Sequence, residues 1–108
     1  MSKQVVFLVT TDADGAADAQ GFCKSNGPLE GQVKSIQYIT DNRIPFEPTV
    51  SFSFTGADSK KPILDVEGVD GRQTWSIENG PTLENEPIRV VVTNGGKDRC
   101  GSYVVTCK

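Results

Sequence analysis

Apolar positions along the chain recur with the two-residue period of a strand, and no window shows a sustained helical period. The cleanest alternation covers residues 49–55: Val50, Phe52 and Phe54 point one way, Thr49, Ser51, Ser53 and Thr55 the other. That is the pattern of a strand with one core face and one wet face. Residues 86–108 predict two strands joined by the turn Asn94-Gly95-Gly96. Ile88, Val90 and Val92 share a face of the first strand, and Tyr103, Val105 and Cys107 form the apolar face of the second. Asn and Gly tolerate the positive φ of a chain reversal, so this stretch reads as a hairpin to which shorter strands are added.

The shorter segments follow the same logic. Residues 4–11 place Val5, Phe7 and Val9 on one face and Val6 and Leu8 on the other. Apolar side chains on both faces predict a strand that is central or lies at a subunit contact, since a small sandwich covers only one face with its own core. Thr10-Thr11-Asp12-Ala13-Asp14-Gly15 ends that strand in a turn. A weak strand is expected over 19–23, followed by a loop through Asn26-Gly27-Pro28. Over 31–40 the parity of apolar positions breaks between Val33 and Ile36, which predicts a bulge or a strand partly covered on both faces.

Pro45 and Pro48 lack the ladder donor, so 41–48 is a loop or an edge. Leu64 and Val66 alternate with Asp65 and Glu67, and Trp75 and Ile77 share a parity before Gly80-Pro81 stops the segment. The sum is seven or eight short strands with turns between them. The expected fold is all-β, an antiparallel β-sandwich or jelly-roll-like barrel, in one domain of 108 residues.

Charge narrows the partners. Eleven basic and 14 acidic residues give a formal charge of −3, and no basic stripe is present to displace counterions, so nucleic acid is not expected as a partner. The apolar run from Val5 to Val9 is too short for a signal-peptide core or a membrane span, which predicts a chain made in a cytoplasm with no membrane partner. Cys23, Cys100 and Cys107 show no zinc-ligand spacing. Cys100 and Cys107 lie an odd number of residues apart on one predicted strand and face opposite sides. A bridge from Cys23 to either is geometrically open, but reduced thiols are the expectation, with neither a disulfide nor a metal needed for the fold.

Candidate chemistry is sparse. The chain has no histidine, which removes the Ser/His/Asp and Cys/His arrangements. Asp12, Asp14 and Asp18 cluster in sequence, but a calcium loop needs glycine sixth and glutamate twelfth, and here Gly15 is fourth and Cys23 twelfth. A plain turn is expected. Asn94-Gly95-Gly96-Lys97 lacks the further glycines, the Ser or Thr and the helix of a phosphate-binding loop. No catalytic residue, cofactor or metal ligand is expected, and the chain is not read as an enzyme.

The order of elements resembles a group of small proteins from the structural modules of tailed bacteriophages. The shared pattern is a Thr-Thr-Asp-Ala-x-Gly-Ala-Ala turn, here Thr10 to Ala17, then a Gly-x-Val/Leu-x-x-Ile-x-Tyr strand, here Gly31 to Tyr38. A Phe-x-Phe/Ile-Thr-Gly strand follows, here Phe52 to Gly56, and a closing ribbon with Gly-Gly and Gly-x-Tyr, here Ile88 to Thr106. Arg72-Gln73-Thr74-Trp75 stands where the pattern has Pro-Arg. The resemblance implies a virion protein on the capsid surface, a cement or decoration protein that binds the major capsid protein across subunit junctions. Alternatives are a head-completion or tail-tube component, or a module recognising a host-surface glycan or protein. Val6, Leu8, Tyr38, Trp75 and Tyr103 are the candidate interface residues, and a homo-oligomer, dimer or trimer, is expected.

Overall fold

The alternation becomes nine strands, all antiparallel, in a computed structural model that describes residues 3–21, 30–84 and 86–107. They are β1 (Lys3–Thr10), β2 (Ala17–Gly21), β3 (Glu30–Thr40), β4 (Ser51–Gly56), β5 (Pro62–Val66), β6 (Gln73–Ser76), β7 (Thr82–Glu84), β8 (Ile88–Thr93) and β9 (Cys100–Cys107). One sheet has the order β1-β9-β3-β6, with β7 pairing the start of β3; the other has the order β2-β8-β4-β5. The fold is the all-β antiparallel sandwich, with nine strands among the described residues where seven or eight are predicted.

The core lies between the sheets because each strand turns its apolar parity inward. Phe52 and Phe54 of β4, Ile88, Val90 and Val92 of β8, and Tyr103 and Val105 of β9 are each at most 1% exposed. Val50 is equally buried just before β4, so the parity predicted over 49–55 is the one observed. Tyr103 is the hub of an aromatic cluster, its ring 4.9 Å from Phe52, 5.2 Å from Phe54 and 5.4 Å from Tyr38. Its hydroxyl is buried without a hydrogen-bond partner among the described residues, and burial raises its pKa above the usual tyrosine value. Tyr103→Phe removes that orphan and keeps the ring. Urea unfolding should show unchanged stability or a gain of up to about 1–2 kcal/mol; a loss larger than that would mean the hydroxyl has a partner.

The bulge predicted between Val33 and Ile36 is present. The β3–β9 register slips between Val33 and Ser35, which lets both Val33 and Ile36 point inward.

Two expectations are corrected. The closing ribbon is not a hairpin: β8 pairs with β2 and β4, whereas β9 pairs with β1 and β3 in the other sheet. The apolar faces of β8 and β9 oppose each other across the core, so the connection is an arch between layers. Asn94, Gly96 and Asp98, with φ of 56°, 87° and 52°, bend it. The buried Thr11 clamps it by donating its hydroxyl to the Gly96 carbonyl at 2.6 Å and accepting the Arg99 N–H at 2.9 Å. Nor is β1 central. Among the described residues it pairs with β9 alone and forms an edge of its sheet. The weak strand predicted over 19–23 is observed at Ala17–Gly21; its remainder, with Cys23 and the following loop, lies outside the described residues.

Candidate functional site

Among the described residues, the outward rows shared by β1, β9, β3 and β6 carry no charged side chain. Reading across the register gives the rows Gln4, Thr106, Ser35, Ser76; Val6, Val104, Gln37, Thr74; Leu8, Ser102, Ile39; and Thr10, Cys100. In a chain with 25 Asp, Glu, Lys and Arg residues among 108, so large an uncharged outer surface is unusual. Charges begin only at its margins, at Lys34 beside the bulge and at Asp41 and Arg43 past β3. The polar members satisfy one another in part: Gln4 Nε2 donates to Thr106 Oγ1 at 3.4 Å, and Thr10 Oγ1 and Cys100 Sγ are 3.3 Å apart. The apolar members concentrate at the β1 side, where Val6 is 61% and Leu8 83% exposed, and Ile44 is exposed near the start of β9.

The opposite outer face differs in kind. Asp18 on β2 and Arg89 on β8 form a two-pronged ion pair there, with Nη2 to Oδ2 at 2.5 Å, and Asp65 lies on β5. The Arg89 guanidinium holds the Asp18 carboxyl below its ordinary pKa. A pair this exposed contributes little to stability; its consequence here is to mark this face as water-facing.

The sheet edges differ as well. β5 begins with Pro62 and pairs through an irregular register, β6 and β7 span four and three residues, and β2 spans five and carries Asp18. Such short, charged or kinked edges resist strand addition. β1 has eight residues, an unbroken register on β9, and no charge or proline from Gln4 to Thr10. Among the described edges it is the one left open.

Of the predicted interface residues, Val6 and Leu8 lie on this face. Tyr38 and Tyr103 do not: at 1% and 0% exposure they are core residues, stacked on each other. Burial raises the Tyr38 pKa to about 12. Their parity already assigns them inward, Tyr38 with Ile36 and Tyr103 with Val105. Trp75 is half-buried and packs edge-on against Phe52 at 5.5 Å, so it closes the core beneath β6. Sequence reasoning missed Ile39, Val104 and Gln37, whose outward parity becomes meaningful only once β3 and β9 are known to be neighbours.

The loop end of the sandwich holds an open cleft of about 550 Å³ with Asp14, Glu47, Asn94 and Lys97 on its walls. The backbone around it is tied together internally: Glu47 N–H donates to Gly95 O at 3.0 Å, Gly95 N–H to Gly15 O at 3.0 Å, and Thr49 Oγ1 to Asn94 O at 3.0 Å. Asp12 Oδ1 accepts from Asp14 and Ala16 N–H at 2.8 and 3.1 Å, the geometry of a turn and not of a cation loop. No group of three metal-ligating side chains occurs among the described residues.

Glu86 is the one acidic side chain buried among the described residues. It accepts hydrogen bonds from Ser59 Oγ at 2.9 Å, Ser59 N–H at 3.1 Å and Asp58 N–H at 3.2 Å, which fastens the β4–β5 loop to the start of β8. Burial pushes its pKa up, but those donors outweigh burial and hold it below the ordinary 4.5. A depressed folded-state pKa stabilises above the unfolded value and is lost as pH falls through the folded value. Urea midpoints measured at neutral pH and below about pH 4 should therefore fall further for the native chain than for Glu86→Gln. Equal losses would contradict this role.

No protein-family model and no curated protein matches the chain. Among solved structures it is similar to the crystal structure of FlhE, with a TM-score of 0.55 and 15% identity over 100% of this chain and 96% of that one. The likeness is one of fold. It gives no support to the capsid-decoration reading or to its head, tail and host-surface alternatives, and that reading is withdrawn: the likeness found is to FlhE and not to a phage capsid protein. The motifs behind that reading are strand and turn patterns, which specify a sandwich and not what the sandwich binds.

Proposed function

We propose that the chain is a non-catalytic protein-interaction domain whose working surface is the outer face of the β1-β9-β3-β6 sheet. The observation that carries this is the exposure of Val6 and Leu8, 61% and 83%, on a face without charge. Apolar side chains left in water beside one another favour burial against a partner, at about 25 cal/mol per Å² removed from water. The interleaved Ser, Thr and Gln supply donors and acceptors suited to another protein and unsuited to hydrocarbon. The absence of histidine from the chain and the internally bonded loops around the cleft support a binding role over catalysis.

The test compares the two outer faces in living cells. A photoreactive amino acid in place of Gln37, on the uncharged face, should form covalent adducts with protein on illumination. The same group in place of Ser53, on the charged face, should give few. Equal yields from both positions, or none from Gln37, would contradict the proposal.

A further inference from the structure

The uncharged face ends on the open edge of β1, and what completes it can be read from the strand itself. We infer that β1 pairs antiparallel with β1 of a second copy, joining two sheets into one continuous sheet about a twofold axis through Phe7. This rests on the reading of the face as the interaction surface, and it names the occupant.

The strand is self-complementary. Twofold antiparallel pairing sets outward positions opposite outward positions only when the axis passes through a residue of the strand. With the axis at Phe7, Val6 stands opposite Leu8 of the second copy, Gln4 opposite Thr10, and Val5 opposite Val9. Apolar meets apolar and polar meets polar at every position. Moving the axis to Val6 sets Gln4 against Leu8; moving it to Leu8 sets Val6 against Thr10. Each copy thereby sets the exposed Val6 and Leu8 beside those of the other and supplies ladder partners to an edge that has none among the described residues, the same physics by which extended peptides add to sheet edges. Because the pairing is isologous it closes at two copies and leaves no second open edge of this kind to propagate a fibre.

The joined sheet carries the uncharged rows of both copies side by side, doubling the surface offered to a further protein. The dimer thus builds the surface proposed above out of two halves.

Sedimentation equilibrium over a concentration series tests this. The native chain should show twice the 11.6 kDa mass of one chain. Val6→Lys with Leu8→Lys places like charges across the axis and should raise the dissociation constant about a hundredfold or more. Both side chains are solvent-facing in the single chain, so the urea midpoint should hardly move, which separates loss of pairing from loss of fold. Ile39→Lys, on the same face but two strands inward, should leave the dimer intact. A native chain that is monomeric at every concentration, or a dimer that survives both β1 lysines, would overturn the inference. So would a dimer broken by Ile39→Lys and not by the β1 lysines, which would mean that the faces stack. A monomeric native chain that still forms adducts from Gln37 would retain the proposed function while refuting this partner.

Discussion

Phe52→Ala should cost about 3–5 kcal/mol in urea unfolding, the range for removing an aromatic ring from a packed interior. Phe52 is 1% exposed and touches rings from both sheets: Tyr103 at 4.9 Å and Tyr38 at 5.5 Å from the facing sheet, Trp75 at 5.5 Å, and Phe54 at 6.0 Å from its own strand. No single neighbour can move into the space without breaking another contact, so the cavity persists and the cost stays high. Ser53, the next residue, faces outward on the same strand, and Ser53→Ala should change stability by less than about 0.5 kcal/mol. Equal losses at the two positions would place the inner face of β4 wrongly.

Gly80→Ala should rank next, at about 2–3 kcal/mol. A Cβ at Gly80 would lie 2.6 Å from the Val33 carbonyl oxygen and 2.9 Å from Ile77 Cγ2. The first is a backbone atom of β3 at its bulge, and it cannot swing aside as a side chain can. The same loop is held by Gln32 Nε2 donating to the Gly80 carbonyl at 2.7 Å, so displacement would also loosen β7 from β3. Gly71→Ala offers the contrast. Its φ of 83° strains any side chain but nothing stands within 4 Å of the added carbon, and about 1–2 kcal/mol is expected from conformation alone. A cost at Gly80 no greater than at Gly71 would show that the close approach to β3 is relieved at little expense.

What the sequence reveals here is which way each side chain points; what it hides is which strand lies beside which. The parity of Val50, Phe52 and Phe54 and the break between Val33 and Ile36 both translate directly into buried faces and a bulge, because each is a local property of one strand. The hairpin expected over 86–108 fails for the complementary reason. Two apolar faces flanking a Gly-rich turn are equally consistent with strands paired in one sheet and with strands facing each other across a core. The longer turn, with left-handed residues at Asn94, Gly96 and Asp98, produces the second arrangement. Tyr38 and Tyr103 were legible as core from their parity with Ile36 and Val105, yet aromatic rings with a polar end invite an interface reading that the structure does not support. The uncharged face is assembled from the outward positions of four strands, none of which looks unusual alone.

The dual apolar character of β1 is legible in the sequence. A strand with Val6 and Leu8 outward and Phe7 and Val9 inward predicts a central position or a subunit contact; the first is corrected, since β1 is an edge with an exposed outer side. That combination is the one natural sheets avoid unless the edge is paired.

Amide hydrogen exchange over Gln4 to Thr10, followed as a function of protein concentration, tests the claim that this edge and its uncharged face are a contact surface. In a strand paired on one side only, alternate amides are bonded and the others face water. The account predicts alternate protection at low concentration that becomes protection of every amide from Gln4 to Thr10 as concentration rises, with β5 on the charged sheet unchanged. The same alternate pattern at every concentration would contradict it.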